Sequence, residues 1–204
     1  MMTVDPKIVM QLREMTGAGI VDSKKALDEA NGDLAAAADI LRKKGVAKAA
    51  GKSERTTAEG VVHAYIHANG KLGVMVEILC ETDFVARTDQ FQALAHDVAM
   101  HIAAANPLYL RPEDVPAAVV EKEKEMYAEE VAGSGKPAEI VEKIVSGKLE
   151  RFYSETCLLR QPFVKDEDIS VDELVKQTIA KIGENIQIGR FSRMALGASS
   201  PKCE

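Results

Sequence analysis

The sequence predicts an α+β protein: three short helices, then a small antiparallel three-stranded sheet packed with helices. Two observations predict the sheet, namely the apolar, β-branched runs on either side of Asn69-Gly70 and a third alternating run over 185–196. One observation predicts the helices, because elsewhere apolar residues recur every three or four positions and the runs stop at glycine. The 204 residues, 46% of them hydrophobic and 4% aromatic, allow one sizeable domain and a small one.

Residues 1–45 predict a compact module of three helices. Asp5-Pro6 favours a first helix, since proline at the first helical position loses no hydrogen bond, and its apolar stripe runs to about Met15. So small a bundle needs a closely fitted core or docking to another part of the protein. The other two helices are delimited by capping residues and by asparagine or glycine stops: starts at Asp22 or Ser23 and at Asp33, and stops at Asn31-Gly32 and Gly45.

Residues 46–57 are rich in alanine, lysine and serine and lack apolar anchors, which predicts a flexible linker or a frayed extension of the third helix. Gly51-Lys52-Ser53 resembles the end of a phosphate-binding loop. That loop needs a glycine where Val46 stands and a strand before it, whereas a helix is predicted here. Nucleotide binding is therefore not expected in this segment. A core domain is predicted over 58–196, followed by a flexible tail at 197–204.

Alternation along the hairpin assigns its two faces. We expect one face to be apolar and the other to carry two histidines that could in principle hold a metal. No third ligand is evident in the sequence, so two solvent-facing imidazoles are the simpler interpretation. The apolar face is predicted to hold Val62, Ala64 and Ile66 with Leu72, Val74, Val76 and Ile78, and the other face His63, Tyr65 and His67.

The second run of the hairpin, 72–80, ends at Glu81-Thr82-Asp83-Phe84-Val85-Ala86, where a strand cannot continue. The chain must turn there, because Thr88 can cap a helix that ends at Asn106-Pro107. Phe84 at this turn has two interpretations: it plugs the corner between strand and helix, or it is held out as a probe beside a carboxylate. The residues alone leave both interpretations open.

The second half of the chain predicts a helical hairpin at about 116–154, broken at Gly133, whose charged first helix is mostly solvated. An irregular segment follows at 157–163. Ser170-Val171-Asp172-Glu173 forms a capping box that opens a further helix, which Gly183 closes before the third strand.

The sheet is expected to carry helices on one face only. Apolar side chains on its other face then need a second layer, and a second copy of the chain is the simplest source. A homodimer is therefore predicted, with Cys203 in the tail as one contact candidate because an exposed thiol could pair across the interface. The other candidates for the interface are Tyr65, Met75, Leu79 and Phe191.

Charge and composition disfavour several classes of function. A net charge of -6 with interspersed signs argues against direct nucleic-acid binding, which needs clustered lysine and arginine. No apolar stretch of about eighteen residues occurs, so no membrane association is expected, and the first residues lack the pattern of a signal peptide. Three widely spaced cysteines fit a reducing compartment.

Six motifs, taken in order, resemble the translation elongation factor Ts family over nearly the whole chain. Each motif alone is a weak signal, and their order makes the resemblance specific. They are Leu12-Arg13-Glu14-Met15-Thr16-Gly17-Ala18-Gly19, Asp22-Ser23-Lys24-Lys25-Ala26-Leu27 with Glu29-Ala30-Asn31-Gly32-Asp33, Thr82-Asp83-Phe84-Val85, Ser134-Gly135-Lys136-Pro137, Gln161-Pro162-Phe163-Val164 and Ile182-Gly183-Glu184-Asn185-Ile186.

The resemblance implies a ubiquitin-associated-like N-terminal domain and guanine-nucleotide exchange on elongation factor Tu, with no catalytic residues and no cofactor. It implies the bacterial cytoplasm rather than an organelle matrix, and the short, homodimeric form of the family. Thr82-Asp83-Phe84-Val85 would be a finger pushed against the partner's GTPase domain near its magnesium and phosphate sites. The residues implied to contact a helix of that domain are Leu12, Arg13, Gly19, Ile20 and Val21, where Ile20-Val21 replace the paired methionines associated with the family.

Two other classes of function remain open. In a free-standing adaptor, the three-helix module would hold a peptide or ubiquitin-like partner while the core dimerises. An enzyme would use Cys80 with His63 or His67, although alternation places the cysteine and the histidines on opposite faces. Substitution of Asp83-Phe84 would discriminate the exchange factor from the adaptor, and resistance of native Cys80 to alkylation would argue against the enzyme.

Overall fold

The computed structural model describes residues 5–132 and 137–198. Its α-helices are α1 (Pro6–Thr16), α2 (Ile20–Glu29), α3 (Leu34–Ala50), α4 (Asp83–Ala86), α5 (Asp89–Ala105), α6 (Ala117–Ala132), α7 (Ala138–Thr156) and α8 (Val171–Ile182). Its strands are β1 (Glu59–Ile66), β2 (Leu72–Cys80), β3 (Pro162–Phe163), β4 (Asp166–Ser170) and β5 (Ile186–Ala195). Across these two ranges, no helix combines the length and the apolar character that a bilayer crossing demands.

A three-stranded antiparallel sheet of order β1-β2-β5, preceded by three helices, confirms the predicted α+β class. The hairpin turns at Asn69-Gly70 as expected. Gly70 has φ +66°, and the His67 N–H donates to the Leu72 carbonyl at 2.9 Å to close the turn. A second small sheet, in which β3 and β4 pair antiparallel, was not predicted, because strands of two and five residues are too short to show a periodicity.

The chain forms two compact units, and β1, β2 and β5 each contribute residues to both. In the described residues, the first unit consists of 5–62, 77–95 and 173–189. The second unit consists of 63–76, 96–132, 137–172 and 190–198. The first unit therefore holds the N-terminal helices, α4 and α8 from Glu173 onward, and the second holds α6 and α7. The domain boundaries drawn from the sequence near residues 45 and 57 remain a prediction.

The N-terminal module has the three helices that the sequence predicts. The carboxylate of Asp5 accepts the Lys7 N–H at 2.9 Å and so caps α1. Gly17, with φ +69°, ends α1 by donating its N–H to the Arg13 carbonyl. The small core between the helices consists of Val9, Leu12, Ala26, Leu27 and Ala37.

The predicted start of the second helix at Asp22 or Ser23 is wrong, since α2 begins at Ile20. Gly19 takes the N-cap position in an extended conformation, and its carbonyl accepts the Ser23 N–H at 2.9 Å. Ser23 is instead buried within the helix. Glycine can cap a helix without a side-chain acceptor, so a start assigned from hydroxyl and carboxylate caps falls too late.

The predicted stop at Gly45 is also wrong, because α3 continues to Ala50. A Cβ at Gly45 would lie 3.1 Å from the Cβ of Ala180 on α8, so the glycine allows α3 and α8 to approach closely. The alanine-rich sequence after Gly45 favours helix. Of the two interpretations of residues 46–57, the helical extension therefore holds as far as Ala50.

The predicted faces of β1 are reversed. Val62, Ala64 and Ile66 are exposed, whereas His63 and Tyr65 are half-buried. The centroids of the His63 and Tyr65 rings lie 5.5 and 5.6 Å from that of His96 on α5, both edge-on. Alternation fixes which residues share a face but not which face is covered, and these rings are apolar enough to pack under a helix. The prediction for β2 is confirmed at its buried residues, which are Val74, Val76 and Ile78.

The reversal changes the set of candidates for a dimer interface. Tyr65 leaves the exposed face, and its hydroxyl lies 3.0 Å from Nδ1 of His67. Met75 is 55% exposed as expected, whereas Leu79 and Phe191 are half-buried. Cys203 lies outside the described residues. In the second unit, large apolar side chains exposed on the sheet are Ile66, Met75 and Met194.

The helices of the second half agree with the sequence. Thr88 caps α5 by accepting the Phe91 N–H on its hydroxyl at 3.3 Å, and the helix ends before Asn106, which has φ +50°. The helical hairpin is present as α6 and α7, and α8 begins at Val171, inside the predicted capping box. The predicted break at Gly133 lies outside the described residues.

Candidate functional site

The segment Thr82-Asp83-Phe84-Val85, called the corner from here on, presents Phe84 to solvent. It opens α4, a single helical turn that Thr82 caps by accepting the Val85 N–H on Oγ1 at 3.4 Å. Ala86 at the base of the turn is buried, whereas Phe84 is 79% exposed. Of the two interpretations of Phe84, the structure therefore supports the one in which the ring is held out, and the core plug is wrong.

Asp83 lies beside the exposed ring and forms an ion pair with Arg87. Its carboxylate oxygen Oδ2 is 2.8 Å from the guanidinium Nη2, one helical turn along the chain. Both side chains are largely exposed, so the pair adds less than about 1 kcal/mol to stability. The corner thus combines an apolar ring with a carboxylate and a guanidinium on one solvent-facing turn.

The base of the corner is fixed by reciprocal hydrogen bonds to the turn Gly183-Glu184-Asn185, called the 183–185 turn from here on. The Thr82 N–H donates to Oε2 of Glu184 at 3.0 Å, and the Thr82 hydroxyl donates to Oε1 at 2.7 Å. In return, the Asn185 N–H donates to Oε1 of Glu81 at 2.6 Å. Hydrogen bonds that a carboxylate accepts are stronger than neutral ones, which makes this a firm attachment.

The titratable groups around the corner reflect these contacts. The Asn185 N–H, and after it the nearby Arg55 guanidinium, lower the pKa of Glu81 and keep it ionised. Cys80 is fully buried, and its thiol donates to the Thr82 carbonyl at 3.1 Å. Burial is the largest cause that raises the pKa of the Cys80 thiol, so it is a poor nucleophile at neutral pH.

The N-terminal residues that the sequence singled out divide into core and surface. Leu12 is fully buried in the core of the module, so the expectation that its side chain contacts a partner is wrong. Arg13 and Gly19 are exposed, as are Ile20 at 53% and Val21 at 65%. Two apolar side chains in the first turn of α2 thus face solvent, where an isolated module would gain nothing from them.

The sequence missed two residues of this unit. Met15, expected in the apolar stripe of α1, is exposed, and it lies on the other side of the Gly17–Gly19 turn from Ile20. Its spacing of three residues from Leu12 fits a buried stripe, so periodicity misassigned it. Glu184 lies in a motif that had no assigned role, and no local pattern reveals a hydrogen bond to a residue 102 positions away.

The histidines of the hairpin bear on both the enzyme hypothesis and the metal hypothesis. His63 lies on the half-buried face of β1, so the expected separation of cysteine and histidines by sheet face does not hold. Burial, with a smaller effect of His96, lowers the pKa of His63. Within the described ranges, no group of three or more histidine, cysteine, aspartate or glutamate side chains is arranged to bind a metal ion.

Comparison with known proteins identifies the family. The family profile described as "Elongation factor TS" matches residues 33–178. Elongation factor Ts of Fervidobacterium nodosum is 55% identical over 96% of this chain and 100% of its own length. The Carboxydothermus hydrogenoformans protein is 56% identical over 98% of this chain and 93% of its own length. The Geobacter sulfurreducens protein is 53% identical over 100% of this chain and 94% of its own length. With a profile that covers most of the chain and relatives matched almost end to end, this chain belongs to the elongation factor Ts family.

Proposed function

We propose that this protein is a guanine-nucleotide exchange factor for elongation factor Tu. The observation that carries the proposal is the solvent exposure of Phe84 on a firmly attached corner. The corner enters the GTPase domain of the partner near its magnesium and phosphate sites, GDP loses contacts there, and the factor holds the nucleotide-free partner until GTP binds. Family membership supports this proposal, since all the relatives compared above carry the name of this factor.

Exchange of this kind needs binding energy rather than catalytic residues. If the factor binds the nucleotide-free partner more tightly than the GDP-bound partner, linkage requires that the factor weaken GDP binding by the same ratio. Each factor of ten in that ratio requires about 1.4 kcal/mol of preferential contact. In this proposal a large exposed ring and a carboxylate on one turn supply that preference, because an aromatic anchor that becomes buried in an interface commonly contributes about 2 kcal/mol or more.

The N-terminal module supplies affinity in this proposal. Arg13, Gly19, Ile20 and Val21 contact a helix of the GTPase domain, and exposed Met15 extends the apolar part of that surface. Burying two aliphatic side chains contributes about 3 kcal/mol or more. Leu12 supports this surface from inside the module's core.

We further propose that the factor is a homodimer in the bacterial cytoplasm, joined through the exposed sheet face of the second unit. Ile66, Met75 and Met194 give that face an apolar character that a second layer would cover. Tyr65 is no longer part of the proposed interface, and Leu79 and Phe191 can contribute only through their exposed parts.

Stopped-flow release of a fluorescent GDP from purified elongation factor Tu tests the proposal. The protein is expected to accelerate release by orders of magnitude at saturation, and Phe84→Ala is expected to lose most of that acceleration while remaining folded. Absence of acceleration by the folded wild-type protein would contradict the exchange activity. The exposed apolar surface of α2 would then favour the adaptor, in which the module binds a partner and the corner has no role.

A further inference from the structure

Thr82 Oγ1 links the 183–185 turn to α4 within the first unit. It donates its proton to Oε1 of Glu184 at 2.7 Å and accepts the Val85 N–H at 3.4 Å. The carboxylate thus fixes the rotamer of the hydroxyl that caps α4, the turn that carries Phe84. Without that acceptor the hydroxyl is free to rotate, so the N-terminal end of the one-turn helix loses its fixed cap. The hydrogen bonds that remain on side chains hold its other end, from the Thr88 hydroxyl to the Val85 carbonyl at 2.8 Å and from the Gln92 amide to the Ala86 carbonyl at 2.6 Å.

The other side of the 183–185 turn is itself anchored. Asn185 is buried, and its side-chain amide donates to the carbonyls of Arg55 at 2.8 Å and Ser53 at 3.3 Å. The Lys52 ammonium donates to the Gly183 carbonyl at 2.6 Å. The turn is therefore held between the segment that follows α3 and the corner, and Glu184 projects from a fixed backbone.

We propose that Glu184 is a positioning residue for exchange, which presets the corner so that Phe84 is presented without an ordering cost when the corner enters the GTPase domain of the partner already bound. This inference rests on the exchange function proposed above, and it assigns a role to the Ile182-Gly183-Glu184-Asn185-Ile186 motif. Glu184 acts through Thr82 and need not touch the partner. Its loss therefore lowers the rate of GDP release within the complex more than it lowers the affinity of the complex.

Amide hydrogen exchange in the free protein tests the positioning step without any partner. Glu184→Ala is expected to speed exchange of the Val85 amide about tenfold, although Glu184 does not contact that amide. Glu142→Ala, which removes an exposed glutamate on α7, is the matched control and leaves Val85 unchanged. An unchanged Val85 amide in Glu184→Ala would overturn the proposal even if the protein proved not to be an exchange factor.

The kinetic test is GDP release from elongation factor Tu across a range of factor concentrations. Glu184→Ala is expected to lower the plateau rate about tenfold and to change the half-saturating concentration less than about threefold. A plateau within about twofold of wild type, or an effect confined to half-saturation, would overturn the proposal. No acceleration by wild type would instead contradict the exchange function, and the Val85 amide would still decide the positioning role.

A second pair of variants keeps the test independent of the folding of Glu184→Ala. Thr82→Ser retains the hydroxyl between Glu184 and Val85, and Thr82→Val removes it at nearly constant shape. We expect the Val85 amide of the free protein to exchange at the wild-type rate in Thr82→Ser and as fast as in Glu184→Ala in Thr82→Val. Equal behaviour of the two Thr82 variants would overturn the proposal.

Discussion

The two units of the molecule use polar groups in opposite ways. In the first unit, the carboxylates of Glu81 and Glu184 accept backbone N–H groups at the base of a turn whose tip, Phe84, stays in solvent. In the second unit, the fully buried His101 accepts the Val164 N–H on Nδ1 at 3.2 Å. Its Nε2 must therefore carry the proton, which it donates to Gln161 at 3.0 Å. That hydrogen bond joins α5 to the segment before β3, and both of its side chains are buried.

The difference indicates separate tasks. Charged hydrogen bonds at a surface can hold an exposed side chain in place at small desolvation cost, which suits a binding element. A neutral buried imidazole with both nitrogens satisfied contributes to stability and specifies packing. We therefore expect substitutions on the surface of the first unit to change exchange without changing stability, and substitutions in the second unit to change stability or assembly.

The largest expected effect is that of Phe84→Ala on exchange. The plateau rate of GDP release should fall about 100-fold, equivalent to about 2.7 kcal/mol, because a central aromatic contact is lost. The free energy of unfolding should change by less than about 0.5 kcal/mol, since the ring is exposed. Stopped-flow fluorescence and urea titration measure the two quantities. A stability loss of about 3–5 kcal/mol would show that the ring packs in the core, and would contradict the expectation that surface substitutions in the first unit leave stability unchanged.

Met75→Lys should weaken self-association. A charge on the exposed sheet face of the second unit opposes burial of that face, so the dimer dissociation constant should rise about 30-fold, or about 2 kcal/mol. Sedimentation velocity over a concentration series measures it, with Glu142→Ala as the surface control. A wild-type protein that sediments as a monomer at all concentrations would contradict the proposed dimer.

Ile20→Ser should raise the factor concentration needed for half-maximal release about tenfold, because the partner loses part of an aliphatic contact. The plateau rate should stay within about twofold, since α2 carries affinity rather than release. The same stopped-flow titration gives both numbers. An effect on the plateau alone would remove the distinction between the N-terminal surface and the corner.

Acid should destabilise the protein through His101. Burial lowers the pKa of His101, so the unfolded chain takes up a proton before the folded protein does. Stability is therefore complete above pH about 6.5 and falls by at most about 1.4 kcal/mol per pH unit below it, until the folded-state pKa is reached. Urea unfolding between pH 8 and pH 5 checks this expectation.

His101→Gln isolates the effect from that of His63, whose pKa burial also lowers. This variant should be less stable at pH 8 and should show a shallower pH dependence than wild type. His63→Gln should retain most of the wild-type slope, because His63 is only half-buried. Identical slopes in wild type and His101→Gln would contradict the role given to His101.

The sequence predicted elements well where a pattern and its end signals coincide. The hairpin at Asn69-Gly70, the cap of α5 at Thr88 and the start of α8 in its capping box are all confirmed. It failed at Gly19 and Gly45 because glycine serves both as a helix cap and as a site of close packing, and only tertiary structure distinguishes these uses.

The exposed residues of the corner could be predicted from the sequence, whereas the hydrogen bonds that hold its base could not. Asp83 and Phe84 interrupt an apolar run, which is visible in the sequence, whereas the hydrogen bonds of Thr82 to Glu184 join residues 102 positions apart. Likewise, alternation along β1 gave the correct grouping of residues and the wrong face, because the position of α5 decides which face is covered.

The most direct test of the division within the first unit is a double-variant cycle of Phe84→Ala and Ile20→Ser, with plateau rate and half-saturating concentration measured for all four proteins. We predict that only Phe84→Ala lowers the plateau rate and that only Ile20→Ser raises the half-saturating concentration. In the double variant, the free-energy change in each quantity should equal the sum of the single-variant changes within about 0.5 kcal/mol. Loss of plateau rate in Ile20→Ser, or an unchanged plateau in a folded Phe84→Ala, would contradict the claim that the corner drives release.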